Sequence, residues 1–332
     1  MRTDRLWLAG HAQCTLRDTE GGDMRTSFVR RILIALLAVP LSLAAACGSD
    51  DESSSEGKVV IVGQKFTEAD IMTQLYKALL DDAGFDAQVK NLGARDIYLE
   101  PLSKGDVMIS ADYLSSMTEA LNRKANGDDA PKVASSDPAA TLDELNRLAE
   151  AEGLTALEPA QAQDANAFAV TKEFAEANNL TTLSDLGAYG EPVKLGGNSD
   201  CPDRADCQKG LEDVYGIEIS GFEPTGFGSQ ATKDDLVKGI TQIGSVGTTD
   251  ATLDQLGLVI LEDDKLVQNA ENLVPIVNSE WLADHEDARG ALDELSDVLT
   301  TEDLTELIGR VDLEREKAAD VAKDYLEDKG LI

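Results

Sequence analysis

The chain is poor in the residues that most often build catalytic and metal sites. It has two histidines, His11 and His285, and four cysteines in 332 residues, with no CxxC motif. No G-x-S-x-G elbow, P-loop or strand-linked G-x-G-x-x-G motif is present, although catalysis on α/β folds commonly uses one of them. The sequence therefore gives little support to an enzyme, and it predicts no metal site and no cofactor.

Basic residues are also scarce. The chain has 29 Lys and Arg against 63 Asp and Glu, which gives a net charge of −34. A nucleic-acid partner is excluded on this ground, because a phosphate backbone needs a basic surface. The same charge argues against adsorption on an anionic leaflet, and the simplest interpretation is a solvated acidic surface.

The sequence has no apolar run of the roughly 20 residues that a transmembrane helix needs. An apolar run at 32–46 follows two arginines and ends in three alanines directly before Cys47. This order is typical of a bacterial lipoprotein signal, in which the cysteine carries the lipid and becomes the new N-terminus. An ordinary signal peptide and a buried helix are the alternatives.

The region around that signal divides into three predicted parts. Residues 1–23 fit neither a signal nor a fold and are predicted to be an upstream extension, with Met24 as the true start. Residues 24–46 are the predicted lipoprotein signal peptide. Residues 47–57 are Ser-rich and acidic, and we expect a disordered tether. The mature protein would then be extracytoplasmic, anchored to the cell membrane through Cys47.

Besides Cys47, the predicted mature chain retains two cysteines, Cys201 and Cys207, separated by five residues in "GNSDCPDRADCQKGL". In an exported chain this spacing favours a disulfide that closes a small loop, because no second cysteine pair or histidine cluster completes a metal site.

Strand and helix patterns alternate along the roughly 275 residues that follow the tether. An apolar strand at Val59 to Val62 precedes a helix with Thr67 as its predicted N-cap and Gly84 as its stop. A third strand is predicted at Val107 to Ala111, and the middle of the chain repeats the alternation. Two α/β units and a returning helical segment predict a bilobed α/β protein with its ligand site beyond the carboxyl ends of the strands.

Several segments, in order, resemble the osmoprotectant (glycine betaine, carnitine, choline) substrate-binding proteins of ABC transporters. They include "VGQKFTEADIMTQLYKALLDDAGFDAQVKNLG", "LSKGDVMISADY", "DANAFAVTKEFAEANNLTTLSDL" and "VAKDYLEDKGLI". The resemblance implies a type II periplasmic-binding-protein fold, with two lobes joined by two crossing strands near 162–167 and 262–272. Lobe one would combine 58–163 with 270–332, and lobe two would be 164–269.

The resemblance also implies a role and partners. The protein would be a monomeric receptor that binds a small polar ligand and delivers it to the permease of an ABC importer. Ligands of this family carry a quaternary ammonium, which aromatic rings hold by cation–π attraction. The resemblance places these ligand-binding candidates in the cleft: Lys65, Phe66, Thr67, Asp112, Tyr113, Asn166, Thr248 and Thr249.

The sequence departs from the family where the second lobe often supplies tyrosines. Lys233 and Gly247 stand at those positions, so a full aromatic box is not visible. Phe227, in "TGFGS", is a candidate to restore one wall, and a loop anchor is its alternative role. Arg95, in "GARDIY", suits a ligand carboxylate or hydroxyls, with a surface salt bridge as the alternative.

Two further functions stay open from the sequence. The chain could be a receptor for a different small molecule, such as a hydroxylated or aromatic compound. From another class, it could be a surface lipoprotein enzyme or a structural adhesin.

Overall fold

The computed structural model describes residues 58–332. The predicted upstream extension, signal peptide, lipidated Cys47 and acidic tether all lie outside the described residues. Within 58–332, no helix combines the length and the apolar character that crossing a membrane would need.

In residues 58–332, ten strands form two five-stranded sheets. The strands are β1 Lys58–Gly63, β2 Asp86–Asn91, β3 Ile109–Tyr113, β4 Leu154–Ala156, β5 Asn166–Thr171, β6 Val193–Gly196, β7 Ile219–Glu223, β8 Ile243–Gly247, β9 Leu258–Leu261 and β10 Leu273–Asn278. The first sheet has the order β2-β1-β3-β10-β4 and the second has the order β7-β6-β8-β5-β9.

The two sheets share one pairing pattern. In each sheet the second strand of the order pairs in parallel with both neighbours, and the fourth strand is antiparallel to both of its own. The fourth strand is the one that arrives from the other sheet, β10 in the first and β5 in the second. This arrangement of two lobes joined by two crossings is the predicted type II fold.

Twelve α-helices in the described part of the chain cover the sheets: α1 Thr67–Asp82, α2 Arg95–Lys104, α3 Leu114–Asn126, α4 Pro138–Glu150, α5 Lys172–Asn178, α6 Leu183–Tyr189, α7 Gln208–Asp213, α8 Gln230–Val237, α9 Ser279–Ala283, α10 Glu286–Val298, α11 Thr301–Asp312 and α12 Ala318–Lys329. Each sheet buries apolar side chains on both faces, so each lobe has two core clusters.

Helix α1 shows how the sequence pattern places the cleft. Its buried apolar positions, among them Ile71, Leu75 and Leu79, turn one face toward the first sheet. The predicted N-cap was wrong by one residue: the helix begins at Thr67 and Phe66 occupies the N-cap, without a side-chain hydrogen bond. The Thr67 hydroxyl instead donates to Asp312 Oδ1 at 2.7 Å. Phe66 therefore precedes the first residue of the helix, and its side chain is exposed.

Two extended segments connect the lobes, one between β4 and β5 and one between β9 and β10. Gln163 and Asn272 form an antiparallel bridge between these segments. The predicted lobe boundaries, at 163/164 and 269/270, fall in the two connections, and the residue-by-residue division into lobes stays a prediction.

Candidate functional site

A cavity of about 310 Å³, called here the aromatic cavity, lies between the two lobes. It is bordered by the loop after β1, the start of α2, the end of β3, the first crossing and the loop after β7. Its lining residues are Gln64, Phe66, Arg95, Tyr113, Ser116, Asp164, Ala165, Asn166, Phe227 and Glu271. The carboxyl ends of the strands meet here, where open α/β sheets bind ligands.

Three aromatic side chains face this cavity. The Phe66 ring is 44% exposed and stacks on the Tyr113 ring, with centroids 6.3 Å apart and planes 20° apart. Phe227 comes from the second lobe and is 41% exposed, and its backbone N–H donates to Asn198 Oδ1 at 2.7 Å. Exposed apolar rings around a polar cavity are suited to a cationic ligand, since their faces attract cations.

Phe227 occupies the space beside Gly247. A Cβ atom built on Gly247 would lie 3.8 Å from Phe227 Cζ and 3.3 Å from Asp164 Oδ1. A large side chain at 247 would therefore collide with the Phe227 ring where it now lies. This geometry supports the prediction that Phe227 supplies the wall that a tyrosine at 247 would otherwise form.

Lys233 stands at the second position where the sequence departs from the family, and it does not line the aromatic cavity. Its side chain is buried, and its Nζ donates to Asp250 Oδ2 and to Thr252 Oγ1, both at 2.8 Å. The ion pair with Asp250 neutralises its charge. Lys233 therefore neither replaces an aromatic wall nor adds a free cation to the site.

A carboxylate network joins the two lobes behind the rings. Tyr113 Oη donates to Glu68 Oε1 at 2.6 Å, and Thr249 Oγ1 donates to Asp164 Oδ1 at 3.1 Å. Burial and the charge of Asp164 raise the pKa of Glu68 to about 7, against the opposing effect of hydrogen bonds from Tyr113 and Thr249. Burial also raises the pKa of Asp164. The site thus holds two carboxyl groups that a cation would help to ionise.

Arg95 is held by a buried ion pair. Its Nε donates to Asp112 Oδ1 at 2.9 Å and to Oδ2 at 3.1 Å, and Tyr98 Oη donates to Asp112 Oδ2 at 2.7 Å. Burial alone would lower the pKa of Arg95, but the charge and hydrogen bonds of Asp112 raise it overall. Arg95 therefore lines the cavity as a permanent cation whose charge is already balanced. This is a buried pair, not the surface salt bridge considered as its alternative.

Glu271 is the third carboxyl group at the cavity. It accepts hydrogen bonds from the Ser116 backbone N–H at 3.0 Å and from Ser116 Oγ at 2.8 Å. Burial is the largest effect on this group and raises its pKa to about 6. Together with Asp164 it makes the aromatic cavity acidic, and Glu68 adds a third carboxyl group in the adjoining cavity. The site therefore favours a cationic ligand over an anionic one.

The structure brings together half of the predicted ligand-binding residues. Phe66, Arg95, Tyr113, Asn166 and Phe227 all line the aromatic cavity. Two more, Thr67 and Thr249, line an adjoining cavity of about 500 Å³ that shares Phe66, Asp164 and Phe227 with the first.

Three predicted residues lie elsewhere. Lys65 is exposed and lines none of the described cavities. Asp112 lies behind Arg95 and is 1% exposed. Thr248 accepts from Ala165 N at 3.0 Å and donates to the Gln163 carbonyl at 2.8 Å, so its hydroxyl fixes the first crossing.

Sequence reasoning missed five residues that line the aromatic cavity: Gln64, Ser116, Asp164, Ala165 and Glu271. It also missed Glu68, which lines the adjoining cavity. Glu68 follows directly on Phe66 and Thr67, so its position beside the predicted loop was the available signal. No comparable sequence signal marks Asp164 or Glu271, because acidic residues are spread along the whole chain.

The predicted disulfide is present between Cys201 and Cys207. Both sulfur-bearing side chains are buried, and the loop between them holds Arg204 against Asp206. A small cavity joins this loop to Asn166 and Phe227. The disulfide therefore borders the ligand cleft on its second-lobe side.

Comparison with known proteins assigns the chain to a family. The family described as the substrate binding domain of the ABC-type glycine betaine transport system matches residues 57–328. The chain belongs to this family. The family and fold class predicted from the sequence are therefore confirmed, and the protein is the substrate-binding component of an ABC importer, a class whose members are extracytoplasmic.

Individual relatives agree with that assignment. The chain is 27% identical over 309 residues to the glycine betaine-binding protein YehZ of Escherichia coli, covering 90% of this chain and 96% of that protein. It is 25% identical over 281 residues to a glycine-betaine-binding protein of Pseudomonas aeruginosa, covering 82% and 88%. A crystal structure titled glycine betaine/carnitine/choline ABC transporter matches with a TM-score of 0.72 at 22% identity, covering 82% of this chain and 99% of that one. At that identity the structural match shows the fold.

Proposed function

We propose that the receptor captures a small quaternary ammonium compound in the aromatic cavity and delivers it to the importer's permease. The observation that carries this proposal is the meeting of three rings, Phe66, Tyr113 and Phe227, with buried carboxyl groups at one cavity. Rings bind the methylated face of an ammonium, and carboxylates balance its charge without requiring a hydrogen-bond donor from it.

Closure of the lobes is the proposed means of delivery. Phe66 and Tyr113 belong to the first lobe and Phe227 to the second, so a ligand between them contacts both lobes at once. A ligand that binds the closed form more tightly shifts the population toward it. The permease would recognise that closed form.

Isothermal titration calorimetry with choline and its neutral isostere 3,3-dimethylbutan-1-ol tests this assignment. The two molecules have the same shape and differ in the charge at one atom. We expect choline to bind at least thirtyfold more tightly, since a desolvated cation–π contact is worth about 2 kcal/mol. Equal affinities, or preferential binding of phenolic or hydroxylated probes, would instead support the alternative receptor for an uncharged compound.

Recovery of the bound ligand distinguishes a receptor from an enzyme. We propose that the protein releases its ligand chemically unchanged, as expected for a solute-binding protein. Mass spectrometry of choline and glycine betaine after prolonged incubation should show no product.

We also propose that Cys47 is lipidated and anchors a monomer to the membrane. The support is the order of charge, apolar run and small residues before Cys47. Replacing Cys47 by Ala should move the protein from the membrane fraction to the soluble extracytoplasmic fraction. Retention of the variant in the membrane would contradict the anchor. Light scattering of the soluble domain should give the monomer mass.

A further inference from the structure

A cavity of about 450 Å³, called here the hinge cavity, lies at the two segments that connect the lobes. Its walls come from both connections, at 163–168 and 260–272, and from the starts of α4 and α6, one in each lobe. It shares Ala165 and Asn166 with the aromatic cavity, but none of the rings or carboxyl groups of that site. The hinge cavity is therefore a separate compartment, divided from the aromatic cavity by the first connection.

Carboxamide groups dominate the polar lining of the hinge cavity, although the chain as a whole is acidic. The five that line it are Gln163, Asn166, Gln268, Asn269 and Asn272. Two acidic residues join them, and no Lys or Arg within 58–332 does. Of the two acidic residues, Glu262 is exposed, and the Asp263 carboxylate accepts from two backbone N–H groups of its own turn, at 3.0 and 2.7 Å. Groups that both donate and accept hydrogen bonds therefore predominate, and they complement an amide better than a charge.

Two of these carboxamides are fixed in place while their oxygen atoms stay unpaired. Gln268 is 8% exposed, and its Nε2 donates to the Asp206 carbonyl at 3.0 Å. Asn272 Nδ2 donates to the Ala160 carbonyl at 2.8 Å. Within 58–332, neither Gln268 Oε1 nor Asn272 Oδ1 has a hydrogen-bond partner, although both atoms are buried. A buried acceptor without a donor costs free energy, so a molecule that brings N–H groups to these oxygens gains by binding.

Apolar side chains complete the wall of the hinge cavity. Ala167, Leu183 and Ile260 belong to it, and Leu266 stands beside them with 64% of its surface exposed. Leu266 has a φ of 55°, in the left-handed region that residues with a side chain rarely adopt. Its backbone N–H donates to the Asp263 carbonyl at 3.0 Å, which holds the turn in this conformation. An apolar side chain is thus kept next to the carboxamides, and the cavity suits a molecule that has an apolar body as well as an amide.

The position of the hinge cavity couples it to closure of the lobes. Ala251, in the loop after β8, packs against the first-lobe core cluster that contains Ile308, and a Cβ atom on Gly309 would lie 3.6 Å from Ala251 Cβ. The lobes are therefore in contact across the cleft. This contact shares no cavity-lining residue with the hinge cavity. Because the connections are the pivot of closure, surfaces on their two sides move in opposite directions, so a molecule in the hinge cavity would hold this arrangement of the lobes.

We propose that the hinge cavity is a second ligand site, for an uncharged molecule with an amide group on an apolar body, and that its occupation favours the closed lobes. The amide N–H groups donate to the oxygens of Gln268 and Asn272. The apolar body lies against Leu183, Ile260 and Leu266. A volume of about 450 Å³ is within the usual range for small-molecule sites. The site does not depend on the ligand of the cleft, and only its effect on choline binding rests on the proposed function.

Binding of benzamide to the soluble domain, followed by ligand-observed NMR titration, tests the site directly. Acetophenone is the matched probe, since it has the same shape with a methyl group in place of the amide nitrogen. We expect benzamide to bind at least fivefold more tightly, which is about the effect of one net hydrogen bond. Equal affinities would overturn the amide assignment. Tighter binding of benzylamine than of benzamide would also overturn it, because the two carboxylates would then be the recognition groups.

Variants place the effect in the hinge cavity. Gln268→Met keeps the length of the side chain and removes the oxygen, so it should reduce benzamide affinity to that of acetophenone. Gln230→Met is the matched control, because it removes an amide that is hydrogen-bonded to Asp234 on α8, outside the described cavities. Leu266→Asn, at an exposed position whose backbone conformation Asn tolerates, should weaken both probes. Thermal unfolding shows whether each variant is folded, and an unchanged benzamide affinity in folded Gln268→Met and Leu266→Asn would overturn the site.

Calorimetric titration of choline with and without saturating benzamide tests the link to closure. Two ligands that favour the same form strengthen each other's binding by the same factor, so benzamide should raise choline affinity at least threefold. Gln268→Met should remove this increase, and Gln230→Met should keep it. A decrease in choline affinity would show that benzamide competes in the aromatic cavity and would overturn the proposal.

The outcomes separate the hinge site from the proposed function. Benzamide binding that depends on Gln268 without any change in choline affinity would overturn the effect on closure. Failure of choline to bind at all would overturn the proposed function, while the NMR comparison of benzamide with acetophenone would still decide the hinge site.

Discussion

The two sides of the aromatic cavity differ in how firmly their side chains are held. On the first-lobe side, Tyr113 is 7% exposed and bonded to Glu68, and Arg95 is fixed by Asp112. On the second-lobe side, Phe227 is half-exposed and is positioned by one backbone hydrogen bond. The first lobe therefore presents a preformed surface, while the contribution of the second depends on closure. Changes to Tyr113 or to the Arg95–Asp112 pair should affect stability as well as binding, and changes to Phe227 should affect binding alone.

The largest expected effect is on the first-lobe side. Asp112→Ala would leave Arg95 as a buried cation without its partner, and breaking a buried pair in this way costs about 3–5 kcal/mol. Urea unfolding should show that loss in the free energy of unfolding. Glu100→Ala, which breaks an exposed pair with Lys104, is the control and should cost much less. Equal costs for the two variants would show that the first side is not preformed as described.

The next largest effect is on choline binding, and it compares one ring from each side of the cavity. Tyr113→Ala and Phe227→Ala should each weaken choline binding about thirtyfold, because each removes a ring worth about 2 kcal/mol to a desolvated cation. Only Tyr113→Ala should also lower the unfolding temperature, since it leaves Glu68 without its hydrogen bond. Calorimetry and thermal unfolding of both variants separate the two roles.

Gly247→Tyr provides the control for Phe227. Alone it should weaken choline binding, because its side chain meets the Phe227 ring and Asp164. Combined with Phe227→Ala it should restore part of the affinity, since the new ring takes the vacated space. Tight choline binding by Gly247→Tyr alone would place the aromatic wall elsewhere.

Removing the disulfide of the second lobe should lower the free energy of unfolding moderately. Closing a loop of this length restricts the unfolded chain by about 2 kcal/mol. Cys201→Ser combined with Cys207→Ser should lower the free energy of unfolding by that amount. Choline affinity should change little, because the rings that hold the ammonium do not belong to the loop. A loss of choline binding without a loss of stability would be inconsistent with a purely structural role.

The last expected effect is the pH dependence of Glu68. Its pKa is raised from 4.5 to about 7 in the folded protein, so the folded state holds a proton that the unfolded state loses at lower pH. This contribution to stability is complete below about pH 4.5 and is lost as the pH rises through 7. Glu68→Gln, compared with wild type by urea unfolding between pH 5 and 8, should remove that loss.

Choline affinity should follow pH in the opposite direction. A bound cation favours ionised Glu68 and Asp164, so affinity should rise several-fold between pH 5.5 and 8. The other charged groups around the network are already engaged: Asp250 is paired with Lys233, and Asp312 accepts from Thr67. Affinity that is unchanged with pH in wild type would remove Glu68 from the site.

The sequence predicted the parts of the fold in which strand and helix patterns alternate clearly. Helix α1 and the strands that flank it follow from apolar periodicity and from glycine stops, whereas the crossing near Asn166 follows from the family resemblance. Helix α3 was missed, because β3 ends at Tyr113 and the helix begins at Leu114 with no loop or side-chain cap between them. Strand β7 was missed because it is only partly buried and contains Gly221.

The sequence pointed to the aromatic residues of the candidate site and not to its carboxyl groups. Phe66 and Tyr113 were predicted from their match to the family's segments, and Phe227 from its position in "TGFGS". No acid stands out among 63, so Glu68, Asp164 and Glu271 became visible only through their burial. The predicted strand at Val107 to Ala111 lies two residues later, at Ile109–Tyr113, which makes Tyr113 its last residue at the cleft.

The exchange of strands between the sheets has a consequence for how the chain folds during export. All five strands of the second sheet lie within 166–261, so that sheet can form as soon as this segment has emerged. The first sheet has to wait for β10, since β4 pairs only with β10 in the completed sheet. The first sheet can therefore be completed only after every strand of the second sheet has been made, because β10 follows all of them along the chain.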